Sequence, residues 1–196
     1  MKKILYAVMI IATTMSVTAQ KLMDNLAPFK GQKEVNVVLD FTGTLVNGEP
    51  EEDHIEYFIK DKNEEEKEHW LKEWNEDLRI RSYSLFVTHL NNRISKKTGI
   101  TVGKYPEAEY TIYVKVKNII PGYGMLAGKK GATVKSSKAV CEVTTEISFV
   151  KTGETTPFAT DEYKEYGGSV PYFVERIAKA FFVTAYRLGK NMEKNY

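Results

Sequence analysis

The chain has a single cysteine, Cys141, in 196 residues. One thiol cannot close an internal disulfide, so the fold must rest on its apolar core. Histidine is nearly as scarce: His54, His69 and His89 are the only three, and no two stand at the i, i+4 spacing of a helical metal site. His69 and His89 fall on a long charged helix and read as surface or boundary residues. No serine sits in a G-x-S-x-G setting, the local mark of one hydrolase class. A Ser-His-Asp triad drawn from distant positions stays open, since its members need not be neighbours in sequence. There is no internal repeat and no low-complexity stretch. No cofactor motif is present, and neither a cofactor nor a metal is expected.

What is present begins at the first residue. Met1-Lys2-Lys3, the apolar run Ile4 to Ile11, and Val17-Thr18-Ala19 before Gln20 have the layout of a secretory signal peptide, with a predicted cut after Ala19. The apolar run is too short to span a bilayer, and no cysteine follows it to take a lipid anchor. The expected location is periplasmic or extracellular, with no membrane-spanning segment after cleavage.

Twenty-eight basic and 26 acidic side chains fall to 26 of each once the two leader lysines are removed. That neutrality hides a division. Residues 48–77 hold thirteen acids and four bases, a local −9, whereas 78–151 hold thirteen bases and four acids, a local +9. Solvated helix and strand faces account for this; head-to-tail association or steering of a charged ligand is the functional alternative. The lysines do not cluster on one aromatic-bearing segment, so nucleic acid is not an expected partner.

Residues 20–33 form a lead-in, with Leu22, Leu26 and Phe29 available to touch the body. Val35, Val37, Leu39 and Phe41 alternate with Asn36 and Asp40, which predicts a first strand over 34–46, broken at Asn47-Gly48-Glu49-Pro50. A short helix after Pro50 would align Ile55, Phe58 and Ile59. Asn63 followed by Glu64, Glu65 and Glu66 starts the longest helix, whose apolar series Leu71, Trp74, Leu78, Leu85, Phe86, Leu90 and Ile94 ends at Gly99. Strands follow near 108–117, 138–150 and 156–163, the last two joined by a turn at Thr152-Gly153-Glu154. Cys141 shares the apolar phase of its strand and is expected to be buried and reduced. Gly167-Gly168-Ser169 opens a final helix with Pro171 in its first turn, a buried stripe from Val174 through Phe181 to Leu188, and Gly189 as its cap.

The expected fold is α+β: a two-layer sandwich with a mainly antiparallel sheet of about four strands, in the order β-α-α-β-β-β-α, and two long helices on one face. The expected organisation is one domain over 34–190 with a tail at 191–196.

Three stretches invite a functional reading. Val37-Val38-Leu39-Asp40-Phe41-Thr42-Gly43-Thr44-Leu45-Val46 resembles the first motif of the haloacid dehalogenase superfamily. That resemblance implies a Mg²⁺-dependent aspartyl phosphatase or phosphotransferase with Asp40 as nucleophile and metal ligand and Thr44 holding the backbone. Thr42 replaces the second aspartate, and Asp161-Glu162 is the best source of a further metal-binding acid. Gly122 to Gly131 fails the phosphate-loop spacing, and reads instead as a hairpin loop able to bind through Tyr123, Met125, Leu126, Lys129 and Lys130. Thr111, Tyr113 and Lys115 occupy the sheet face away from the helices and form a second candidate contact surface.

The overall pattern resembles small secreted Bacteroidetes proteins of unknown function, carried by Val37 to Phe41, Glu52 to Phe58, Trp70, Phe86, Asn91 and Ala108 to Ile112. The element order is also similar to envelope accessory folds, such as the amino-terminal domain of TolB and the auxiliary lipoproteins of transport systems. These likenesses imply a non-enzymatic binding or envelope-assembly role whose partner is a protein or envelope component. The aspartyl phosphatase is the alternative.

Overall fold

The computed structural model describes residues 26–122, 141–168, 170 and 172–196. Strand β1 (Glu34–Asp40) buries Val35 and Val37 on one side and leaves Val38 on the other. It stops where Asp40 Oδ1 accepts from the Thr42 N–H at 2.8 Å, with Gly43 in the left-handed region at φ +70. The chain then resumes as β2 (Leu45–Val46) and turns into β3 (Glu49–Pro50). Asn47 and Gly48 both have positive φ, 56° and 80°, the geometry of a tight two-residue hairpin, for which Asn-Gly is the favoured pair.

Helix α1 (Glu51–Ile59) follows directly, then α2 (Glu64–Lys72), a π-helical segment Glu73–Asp77 and α3 (Leu78–Thr98), the last three forming one continuous rod about 50 Å long. Asn63 and Glu66 complete a capping box at its start, and Gly99 ends it at φ 74. Trp70, Trp74, Leu78, Ser82, Phe86, Leu90 and Ile94 are buried. Their spacing of four exceeds the 3.6 of an α-helix, so the stripe drifts around the rod. The wider π turn takes up part of that drift at Trp74.

Strands β4 (Thr101–Gly103), β5 (Tyr110–Ile120), β6 (Glu142–Lys151) and β7 (Ala159–Tyr166) precede the final helix α4 (Phe173–Asn195). One edge of β5 carries β6 along its length; the other carries β1 and then β2, both parallel to it. β4 pairs in parallel with the start of β1, β3 pairs with β2, and β7 covers β6.

The α+β class holds, but the sheet is mixed and has seven strands rather than about four antiparallel ones. The rod is the cause: it connects β1–β3 to β4–β5, and a long helical crossover brings the next strands back parallel. β2, β3 and β4 are each three residues or fewer, too short to leave an alternation in the sequence.

Arg81 pairs with Glu175 at 2.5 Å and Arg93 with Glu193 at 2.8 Å, so α3 and α4 run side by side in the same direction. Both cover the face carrying Val37, Ile112, Val114, Ile147 and Phe149, and Trp74 and Phe181 are fully buried in that core. Leu26 and Phe29 are buried as well, with the Phe29 ring edge-on to Phe149 at 4.7 Å. Two expectations at the end of the chain are corrected. Gly189 is not a cap: it lies inside α4, where a Cβ would meet Arg93 Cγ at 2.7 Å, so glycine here allows the helices to approach. The helix also continues through the predicted tail and carries Met192 into the core.

Candidate functional site

The motif around Asp40 is held by bonds within its own segment and to β5. Besides Thr42, the carboxylate accepts from the Tyr113 hydroxyl at 2.5 Å, and Lys115 is its register partner. Burial opposes the charge, but the Tyr113 and Thr42 bonds and Lys115 outweigh it and hold the carboxyl below its usual range. Burial and the Asp40 charge together push Tyr113 up to about 12. Thr44 is buried, its hydroxyl donating to the Phe41 carbonyl at 2.7 Å and lying 3.0 Å from the Val116 carbonyl. It fastens the break between β1 and β2 to β5.

A metal-dependent reading needs further carboxylates beside Asp40. The sheet register runs from Asp40 to Lys115, Glu146 and Glu162, which puts Glu162 three strands, about 14 Å, away. Asp161 alternates to the opposite face. Among the described residues no group of three His, Cys, Asp or Glu side chains is placed to hold a metal ion.

Thr111, Tyr113 and Lys115 of β5 share the open face of the sheet with Asp40 of β1. The Thr111 and Thr152 hydroxyls share a hydrogen bond at 3.0 Å, and Asn36 donates to Thr111 at 3.3 Å. A shallow depression of about 430 Å³ lies between these residues and the Gly153 turn. Farther along this face, charges pair across strands: Lys164 with Glu142 at 2.9 Å, and Lys117 between Glu146 and Glu162 at 3.6 and 3.5 Å. Tyr123, Met125, Leu126, Lys129 and Lys130, and the leader before residue 20, lie outside the described residues.

A larger groove, about 1030 Å³, runs along the outer side of β1, between it and α3. Sequence periodicity singles out Val37, Leu39 and Phe41 in its lining but not Glu51, Arg79 or Lys104. Glu51, at the first position of α1, accepts from Trp74 Nε1 at 2.6 Å and pairs with Arg79 at 2.8 Å. Arg79 also donates to the Trp74 carbonyl and lays its guanidinium over the Phe41 ring at 4.9 Å. Behind this network Phe58, Trp70 and Trp74 stack in series, with centroids 5.6 and 5.4 Å apart. His54 packs 5.2 Å from Trp74, and burial pushes it down to about 4. The one sequence signal for this cluster is the Trp70/Trp74 spacing. These groups supply shape, apolar surface and fixed charge. None is arranged as a nucleophile with a base.

No family model matches the chain, and no curated protein matches it. Among solved structures the chain is similar to the PelC dodecamer from Paraburkholderia phytofirmans, at 8% identity over 79% of this chain and 87% of that one, with TM-score 0.41. It is also similar to a DUF330 protein from Xanthomonas campestris, at 9% identity over 50% of this chain and 55% of that one, with TM-score 0.31. A third likeness is to a candidate lipoprotein from Caulobacter crescentus, at 11% identity over 58% of this chain and 79% of that one, with TM-score 0.30.

Proposed function

We propose that the chain is an exported, non-enzymatic binding or assembly-accessory protein of the cell envelope. The observation that carries this is the state of Asp40, whose two oxygens accept from Tyr113 and Thr42 and which belongs, among the described residues, to no group of three His, Cys, Asp or Glu side chains that could hold a metal ion. On this reading the stretch that resembles the haloacid dehalogenase motif is a strand end closed by an Asx turn. Two surfaces are available for such binding: the polar sheet face around Tyr113 and the groove along β1. No described helix is long and apolar enough to cross a membrane, and export would follow from the leader. The test has two arms. Purified protein is expected to release no phosphate from an aryl phosphate with or without Mg²⁺, and, cross-linked in the native envelope, to retain one envelope component reproducibly. Hydrolysis abolished by Asp40→Asn would overturn the proposal.

A further inference from the structure

The outer edge of β1 is covered at its start and bare toward its end. β4 pairs with Glu34, Val35 and Asn36, and β3 pairs only with β2. From Val37 to Asp40 no strand lies on that side among the described residues. The Lys33 carbonyl accepts from the Thr101 N–H at 2.8 Å, and the two-residue repeat of a strand directs the N–H and C=O of Val35, Val37 and Leu39 to the same edge. β4 does not continue along it. The Tyr105 N–H is taken by Asn36 Oδ1 at 3.1 Å, and Pro106 has no N–H to offer. The bare edge therefore opens into the groove.

The walls of that groove define what fits. Ile80 stands 68% exposed on α3 and Val38 36% exposed on β1, both apolar and both lining it. Glu51 and Arg79 neutralise each other, leaving Lys104 at the Asn36 end and the exposed Glu52 at the Gly43 end to set its polarity. We infer that this gap is a strand-addition site for an extended segment of a partner protein, laid parallel to β1 where β4 leaves off. The segment presents apolar side chains at alternate positions toward Ile80 and Tyr83. Charge complementarity places an acidic residue at its amino end, against Lys104, and a basic one at its carboxyl end, against Glu52. The inference rests on the binding role proposed above and gives it a site.

The probe is the peptide acetyl-Glu-Val-Thr-Ile-Lys-amide, titrated into the purified chain. Saturable binding is expected, with exchange of the Leu39 amide slowed at least tenfold. An added strand bonds through alternate residues only, so N-methylating one alternate set should weaken binding at least tenfold while methylating the other leaves it unchanged. Exchanging the terminal Glu and Lys should weaken it several-fold, and Ile80→Lys at least tenfold without altering the melting temperature. No saturation, equal effects of the two N-methylated sets, or indifference to Ile80→Lys would each overturn the inference. So would Leu39 protection that rises with protein concentration alone, which would make the occupant a second copy. If the peptide fails while Ile80→Lys still retains the same envelope component as the parent chain, the binding role stands and this site falls.

Discussion

The Tyr113 hydroxyl donates to Asp40 Oδ2 at 2.5 Å, joining β1 to β5 on the open face of the sheet. A charge-assisted bond of this kind gives the carboxylate more to do than an outward-facing strand position suggests. Asp40→Asn keeps an acceptor for Thr42 but exchanges a charged partner of Tyr113 for a neutral one. The expected cost is about 1 kcal/mol in a denaturant titration, above the roughly half kcal/mol of an ordinary surface change. Because the folded carboxyl titrates below its usual value, its contribution is present above the unfolded pKa and is lost as pH falls through the folded one. The Asn variant should lack that acid-side loss.

Glu51 ties Trp74 and Arg79 together at 2.6 and 2.8 Å. Glu51→Ala leaves the indole N–H and the guanidinium without their shared acceptor inside a part-buried network. A loss of about 2 kcal/mol is expected, against a smaller one for Glu51→Gln, whose amide oxygen still accepts. Equal stabilities for the two variants in thermal unfolding would remove this network from the account of the fold.

His54 is buried with Nε2 lacking a hydrogen-bond partner, and its pKa falls to about 4. The unfolded chain therefore binds this proton first. Stability is intact above about pH 6.5 and declines as pH falls toward 4, by up to about 3 kcal/mol. His54→Phe should flatten the curve across that window, as read from unfolding midpoints between about pH 4 and 7. An unchanged slope would mean that His54 is not the group responsible.

Cys141 is fully buried, and burial pushes its thiol up to about 12 despite the nearby Arg176. The native protein should react with a thiol reagent only as fast as it unfolds, whereas the denatured chain labels at once. Rapid native labelling would show that the start of β6 is displaced from its described position.

Much of the fold is legible in local chemistry. Asn63 with Glu66, Gly99, and the Gly153 turn each act within a few residues, and Val35/Val37 or Ile112/Val114 report a buried face by alternation alone. Ile177, Phe181, Ala185 and Leu188, all buried on α4, likewise follow from its period. The leader at 1–19 belongs with these readings and stays an expectation, as does the loop at 123–130.

The tertiary structure decided everything that depends on which segments meet. β4 has three residues and no periodicity of its own; it exists because the helical rod returns the chain beside β1. The Asp40–Tyr113 bond joins residues 73 apart in sequence, and the Glu51–Trp74–Arg79 network forms only because α1 lies against the π turn. His54 shows the limit most plainly. Three acids, Glu51, Glu52 and Asp53, stand directly before it, and it is buried because Phe58, Trp70 and Trp74 close around it. Short-range hydrogen bonding and alternation are written residue by residue, whereas pairing register and cavity lining are set by the packing of distant elements.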